Sequence, residues 1–466
     1  MKIAVFGFGS TPVFFKALID YVSQTKDQIL WSAILPTSHH LRLMKTVLPA
    51  SQISCIHEQL PLVMEEAFDL TPLKGYPGNI FKDIETEKIT LKHRDSQRQL
   101  KTALATYKII KRFVDQNRPD YVLYAQPPEG MDGMILSGVA SECGVKIAVP
   151  HHTRNIGRSF FSHSAQEIFP HVSNNLANSE KWAREFLNNF RTHHIKPEPK
   201  ISDLNDEIVP HAFPSRLERT VGFFKRLVTE PENREIGMLR VSLLNSWFPI
   251  YRDLHRGIRK HVNKHIYNCR TIKDLPEKFI FYPLQYTPES SINVPAPYFV
   301  DQMRIIDIIR MAMPNDYQLV IKEHPACILV RDGSFTKSLL RKAGVIVVDY
   351  EVNTQDIIQI ADLTISVTGT AAFEAFLYGK PSIVMAQTFF SELLGGHCGI
   401  DQLPNRIKHL LGLNISDDII LNRIQEIYSS TADFVGRSPE EAGSAMMRAR
   451  NIATFWKEFN LYVKRQ

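Results

Sequence analysis

Asp362-Leu-Thr-Ile-Ser-Val-Thr-Gly-Thr-Ala-Ala-Phe-Glu-Ala-Phe-Leu-Tyr-Gly-Lys-Pro-Ser-Ile-Val-Met385 reads as one complete β-turn-α-β unit. Leu363 to Val367 is a short β-branched run and Thr368-Gly369-Thr370 is a turn. Ala371 to Tyr378 has helical composition, Gly379 suits a helix end, and Pro381 to Met385 is a second buried strand. Such a turn brings unpaired N–H groups, hydroxyls and the positive end of a helix dipole to one point at the carboxyl edge of a parallel sheet, a setting that suits a phosphate. Glu374 follows one helical turn behind Thr370, where a carboxylate reaches ribose hydroxyls. Taken alone, the unit reads equally well as a βαβ crossover without a ligand.

Working outward, the preceding residues repeat the same alternation. Phe279 to Leu284 is a strand whose carboxyl end carries the loop Gln285-Tyr-Thr-Pro-Glu289-Ser290-Ser291, and Tyr298 to Met311 is a helix. Gln318 to Lys322 is the next strand and runs into Glu323-His324-Pro325. Val345 to Val348 and a helix from Thr354 to Ile360, capped by Asn353 or Thr354, lead into the opening unit. Helices at Asp417 to Tyr428 and Ala445 to Phe459 follow.

The N-terminal half has the same rhythm. Lys2 to Phe6 is a first strand, Gly7-Phe-Gly9-Ser10-Thr11 a glycine turn, Val13 to Gln24 a helix and Leu30 to Leu35 a second strand. Pro12 stands where a dinucleotide fingerprint has its third glycine, so a tight turn lining a cleft is the better reading than a nicotinamide site. Residues 53–89, broken by Pro61, Pro72, Gly75, Pro77 and Gly78, read as short elements and loops. Ser96 to Gln116 is a long amphipathic helix before the strand Tyr121 to Ala125. The loop Gln126-Pro-Pro-Glu129-Gly130-Met-Asp132-Gly133 comes next, then a helix from Met134 to Glu142 and a strand from Val145 to Val149. Glu129 or Asp132 in such a loop can serve as a general base, and Asp132 equally as a helix cap. His151-His152-Thr-Arg154-Asn155 places imidazoles and a guanidinium at a strand end, which suits an anion or a sugar. Asn178 or Ser179 caps a helix from Lys181 to Phe190 that completes this half. Arg191 to Asp206 reads as a linker. The basic stretch from Pro214 to His265 carries Phe223, Phe224, Trp247, Phe248 and Tyr251. It reads as a helical insertion that packs its aromatics against the sheets or, alternatively, lies on an anionic membrane.

The expected fold class is α/β, two Rossmann-like domains facing a cleft (the GT-B arrangement) with a basic helical insertion. Its divisions are an acceptor domain at 1–200, the insertion at 201–277, a nucleotide-sugar domain at 278–435 and a C-terminal helix at 436–466. The 466 residues suffice for such domains. With 44% hydrophobic and 22% charged residues and no apolar run of about eighteen, the sequence predicts a soluble, cytoplasmic protein. Five cysteines without paired spacing indicate neither a disulfide framework nor a zinc site. The net charge of +6 argues against nucleic acid as the main partner and permits contact with anionic lipid at the inner face of a membrane.

From Phe279 to Met385 the residues resemble the capsule polysaccharide biosynthesis proteins that include bacterial Kdo (3-deoxy-manno-octulosonate) transferases. Pro283-Leu284-Gln285 followed by Glu289-Ser290 is similar to that family's Pro-Leu-Gln...Asp-Ser loop, with Glu in place of Asp. Lys322-Glu323-His324-Pro325 resembles the His-Pro motif shared with bacterial sialyl- and polysialyltransferases, and Ser366-Val-Thr368-Gly369-Thr370 their hydroxyl-rich phosphate loop. Glu129-Gly130 is similar to the relatives' acidic-Gly base motif, with Pro127-Pro128 where a second acid stands there. The resemblance implies inverting, metal-independent transfer from a CMP-activated sugar to a polysaccharide or glycolipid, with no further cofactor. Glu129, Asp132 and His324 would be the catalytic groups. Gln285, Glu289, Ser290, Lys322, Pro325, Ser366, Thr368, Gly369, Thr370 and Glu374 would hold the donor. A UDP-sugar transferase, an enzyme of UDP-N-acetylglucosamine-epimerase type and a non-catalytic assembly protein are the alternatives.

Overall fold

The computed structural model describes residues 1–87, 95–154, 157–170, 179–193, 221, 266–286, 290–324, 327, 331, 333–349, 351–437 and 445–466. The basic stretch 214–265, apart from residue 221, and Asn155, Asn178, Glu289 and Pro325 lie outside them, as do the side chains of Ser290 and Ser291. The described residues belong to two compact units, one of Met1–Pro170 and Thr431–Gln466, the other of His171–Lys196 and Phe248–Ser430.

In unit 1 the strands are β1 (Lys2–Phe6), β2 (Leu30–Leu35), β3 (Ile53–Cys55), β4 (Tyr121–Leu123), β5 (Lys146–Thr153) and β6 (Arg158–Ser162). They lie in the order β3-β2-β1-β4-β5-β6. Val5 pairs with Ala33 on one side and with Leu123 on the other, so the order reverses at β1 and β4. All neighbours are parallel except β5 and β6. Near-continuous apolar runs such as Ile3 to Phe6 are what a strand buried on both faces needs. The helices include α1 (Thr11–Ser23), α2 (Leu41–Met44), α3 (Ile56–Met64), α4 (Ile80–Thr86), α5 (Ser96–Asn117) and α6 (Met131–Glu142). Asp95 caps α5 by accepting from the Arg98 N–H at 2.9 Å, as its 22-residue amphipathic pattern requires.

Residues 53–87 hold short elements joined by loops, as their prolines and glycines indicate. Besides β3 and α3, with Pro61 inside the helix, they contain α4. Tyr76 anchors them: its ring occupies the space that a Cβ on Gly138 of α6 would enter at 2.3 Å, and its hydroxyl donates to buried Asp83 at 2.6 Å. Burial pushes the Asp83 carboxyl up to about 6.

Two segments differ from the expected division. The helix α7 (Ser179–His193) belongs to unit 2, because its apolar face meets partners there. Trp182 packs on Tyr428 at 4.7 Å, Phe190 on Tyr378 at 5.1 Å, and Arg191 makes a bidentate pair with Asp417 at 2.8 and 3.0 Å. Conversely, the last helix, Ala449–Arg465, belongs to unit 1. Phe455 meets Phe14 of α1 at 4.9 Å, Trp456 meets Trp31 at 5.8 Å, and the Tyr462 hydroxyl donates to the Ile147 carbonyl at 2.9 Å.

Unit 2 is built on β7 (Phe279–Pro283), β8 (Gln318–Lys322), β9 (Val345–Val348), β10 (Leu363–Ser366) and β11 (Ser382–Val384) in the order β11-β10-β7-β8-β9, all parallel. Chain order runs one way from β7 through β8 to β9 and the other way from β10 to β11, so the switch point lies between β7 and β10. Among the described residues no helix is long and apolar enough to cross a membrane.

Candidate functional site

At the switch point of unit 2 the loop after β7 meets the loop after β10. Gln285 is the hub. Its N–H donates to Gln302 Oε1 at 3.1 Å, an atom that also takes the Tyr282 hydroxyl at 2.9 Å, and Gln302 Nε2 in turn holds the Phe299 carbonyl at 3.0 Å. Its side-chain Oε1 accepts from Thr368 Oγ1 at 3.5 Å, and its amide lies where a Cβ on Gly369 would stand 2.8 Å from Nε2. Only glycine at 369 leaves the Gln285 amide in that position.

The hydroxyls of this loop are already committed within it. Ser366 Oγ donates to the Gly369 carbonyl at 2.8 Å and fixes the turn, while Thr370 Oγ1 donates to Glu374 Oε1 at 2.9 Å. Glu374, only 3% exposed, therefore orients Thr370 instead of standing open to a ribose. The helix Ala371–Leu377 spans seven residues, so it has little dipole to offer. What stays open is the backbone: among the described residues the Gly369 and Thr370 N–H groups donate to no carbonyl.

The neighbouring strand β8 delivers Lys322, Glu323 and His324. Lys322 is 4% exposed and its ammonium has no hydrogen bond or ion pair among the described residues. Burial lowers its pKa, against the pull of the Asp349 and Glu323 carboxylates. Glu323 is raised by the same desolvation, opposed by Arg331, which donates from Nη1 to its carboxylate and from Nη2 to the Gln285 carbonyl. The His324 N–H donates to Glu323 Oε1 at 2.7 Å. His324 itself is exposed, with its ring stacked 5.6 Å from Tyr286. Sequence reasoning missed Arg331 and Gln302: the first is a lone cation eight residues past Glu323 and the second a polar residue on a buried helix face.

In unit 1 the loops after β1 and β4 occupy the equivalent place. Gly7 is required by close approach, since a Cβ there would lie 2.5 Å from Leu35 Cδ2 and 2.9 Å from Pro12 Cγ. Gly130, with φ of +85°, is the N-cap of α6, so Asp132 falls inside the first helical turn and is not the cap. Asp132 is buried and Glu129 half-buried.

The histidine pair departs from expectation. The strand runs on to Thr153, and β6 covers it as an antiparallel neighbour, with His151 opposite Phe160 and His152 opposite Ser159. His151 Nε2 lies 2.9 Å from the Ser164 carbonyl and His152 Nδ1 3.1 Å from Ser159 Oγ. Burial lowers both imidazoles, His152 to about 3, so both are neutral. Arg154 is held bidentate by Glu167, both contacts 2.9 Å.

Among the described residues no group of three His, Cys, Asp or Glu side chains is placed to hold a metal. No protein of curated function matches the chain. Among solved structures, UDP-GlcNAc 2-epimerase of Methanocaldococcus jannaschii is similar at 12% identity over 91% of this chain and 98% of its own, with a TM-score of 0.26. The KpsC β-Kdo 2,7 transferase of Thermosulfurimonas dismutans is similar at 13% identity over 69% and 79%, with a TM-score of 0.29. The KpsC β-Kdo 2,4 transferase of the same organism is similar at 12% over 65% and 90%, also with a TM-score of 0.29. Residues 248–394, the segment that holds β7, β8, β10 and the loops between them, match the family described as capsule polysaccharide biosynthesis protein, the one their motifs resemble.

Proposed function

We propose that the chain is a glycosyltransferase of surface polysaccharide synthesis that takes a sugar from a nucleotide donor, CMP-linked, at the carboxyl edge of unit 2. A saccharide or glycolipid hydroxyl receives it with inversion. The observation that carries the reading is the meeting of Gln285 with the Thr368-Gly369-Thr370 turn at the switch point, inside the segment that matches the capsule polysaccharide family.

Loss of a nucleoside monophosphate builds negative charge on one phosphate. The buried Lys322 ammonium and the open Gly369 and Thr370 N–H groups balance that charge, and His324 on its stacked Tyr286 supplies the proton donor. Glu323 and Arg331, spent on one another, keep the loop ends in place. Glu129 or Asp132 takes the proton from the attacking hydroxyl, which is worth about 10²- to 10⁴-fold in rate.

Thermal shift with CMP, CDP, UDP, UMP, GDP and ADP at equal concentration tests the donor. CMP or CDP ahead of the rest supports the reading; preference for UDP moves it to a UDP-sugar enzyme, and no shift with any of them removes it. Glu129→Ala should keep the CMP shift and lose transfer, and full activity in that variant would move the base elsewhere.

A further inference from the structure

At the opposite edge of the sheet of unit 1, where β4 and β5 begin, a lysine and a cysteine touch. Lys111 Nζ of α5 lies 3.2 Å from Sγ of Cys143, the C-cap residue of α6, although the two are 32 residues apart in the chain. The other four cysteines are buried, whereas Cys143 is half-buried.

The neighbours hold both atoms in place. On α5, Tyr107, Lys111 and Asp115 recur every fourth residue and so share one face. Asp115 Oδ1 accepts from Lys111 Nζ at 2.9 Å, and that bond above all raises the lysine's pKa. The Tyr107 hydroxyl lies 3.0 Å from Glu142 Oε2, which anchors the residue before Cys143, and the Cys143 N–H donates to the Val139 carbonyl at 3.0 Å. On its other side the pair is open. Lys111 and Cys143 line a cavity of about 630 Å³ together with Asp115, Arg118, Gly144 and Lys146. A Cβ on Gly144, at φ of +68°, would meet nothing within 4 Å, so a small solute reaches the sulfur from there.

A thiol in contact with an amine has a reaction that an isolated thiol lacks. Peroxide oxidises a thiol to a sulfenic acid, and a sulfenic acid condenses with a neighbouring nitrogen to a sulfenamide. We propose that Lys111 and Cys143 are an oxidant-sensitive pair that closes to an Nζ–Sγ cross-link when hydrogen peroxide enters this cavity. The peroxide converts the Cys143 thiol to the sulfenic acid and its other oxygen leaves as water. Nζ then gives one proton to solvent and attacks Sγ. The N–S bond forms, the S–O bond breaks, and the hydroxyl leaves as a second water with a further proton from the nitrogen. Sulfur loses two electrons and the peroxide gains them. Two molecules of a small thiol reverse the link, returning the amine and the Cys143 thiol and becoming one disulfide. The flexible four-carbon stem of the lysine lets Nζ close the remaining gap. The link ties α5 to the end of α6 and closes a loop that contains β4, Glu129 and Asp132, so it removes freedom from the unfolded chain. Neither carboxyl edge takes part, and the pair does not depend on the transferase reading.

Peptide mass mapping of the full chain after treatment with hydrogen peroxide tests it, with Lys111→Arg and Cys143→Ser beside the parent. The parent should yield a linked peptide pair about 2 Da lighter than the sum of its two parts, and dithiothreitol should release it. Neither variant should yield the pair, although Lys111→Arg keeps a cation beside Asp115. The oxidised parent should also melt several degrees above the reduced one, a rise that both variants lack. Cys143 recovered as an unchanged thiol, as a sulfinic acid or in a disulfide between chains, with Lys111 free in each case, would overturn the pair. A link that persists in Lys111→Arg, or one that leaves the melting temperature of the parent unchanged, would overturn it as well.

Discussion

The carboxyl edges of the two sheets lie at equivalent switch points and treat their polar groups in opposite ways. In unit 2 the polar side chains of the loops at this edge are tied to one another: Glu323 to Arg331, Gln285 to Gln302 and Thr368, Ser366 to the Gly369 carbonyl, Thr370 to Glu374. Among the described residues the Lys322 ammonium and the Gly369 and Thr370 N–H groups are left over. In unit 1 burial lowers both imidazoles and Arg154 pairs with Glu167, while among the described residues Ser10 Oγ and Gln126 Oε1 are two of the buried side-chain atoms that find no hydrogen-bond partner. A connected network rigidifies loops around a single charged ligand group, whereas unspent neutral hydrogen-bonding capacity suits hydroxyls.

The largest test of the contrast is Arg331→Ala. It strips the partner from Glu323 in a buried pair and releases the Gln285 carbonyl, so calorimetry should record a loss of about 3–5 kcal/mol with CMP protection gone. A loss below about 1 kcal/mol would mean that the edge of unit 2 is not held by this network. Next comes Gly133→Ala at the edge of unit 1. The new methyl would stand 2.6 Å from Pro128 Cβ and 3.3 Å from its Cα, against a ring and a backbone that cannot swing away, and should cost about 1–3 kcal/mol.

A third test is of charge. His152, pushed down to about 3 by burial, stays neutral in the folded protein while the unfolded chain takes up a proton below about 6.5. Its share of stability is therefore complete above pH 6.5 and is lost as the pH falls from there toward 3, at up to about 1.4 kcal/mol per pH unit. Asp83, pushed up to about 6, works in the opposite sense, so the quantity to read is the difference between His152→Gln and the parent in urea unfolding from pH 7 to 4. Parallel pH profiles would mean that His152 is solvated and charged, and the edge of unit 1 would then not be neutral.

How much of this was legible in the sequence follows from the range of the interactions. The strands Lys2–Phe6, Leu30–Leu35, Gln318–Lys322 and Val345–Val348 and the helix Thr354–Ile360 were readable to the residue because local propensity and both-face burial agree there. The turn at Thr368–Thr370 and the loop at Gln285 were readable as strand-end loops, and Thr368 and Gln285 do meet. The fate of the histidine pair was not, since β5 continues past its apolar run only because β6 folds back to cover it. Nor was the placement of α7: its apolar stripe was visible, but the sheet that receives it is chosen by Tyr378 and Tyr428, some two hundred residues away. Arg331 carried no pattern at all, because its role exists only once Glu323 is buried beside it.

The smallest effect sharpens the comparison most. Gly369→Ala in unit 2 places a methyl 2.8 Å from Gln285 Nε2, a closer approach on paper than most side chains tolerate. Its φ is not in the left-handed region, so alanine meets no backbone strain. The obstacle is the free end of a flexible side chain held by one long bond of 3.5 Å from Thr368, and it can rotate aside. Stability should therefore change by no more than about 0.5 kcal/mol, in contrast to Gly133→Ala, while the displaced amide no longer closes the switch point and CMP protection falls. A stability loss matching that of Gly133→Ala would show that the Gln285 amide is locked in place, and an unchanged CMP shift would remove Gln285 from the donor site while leaving the surrounding network intact.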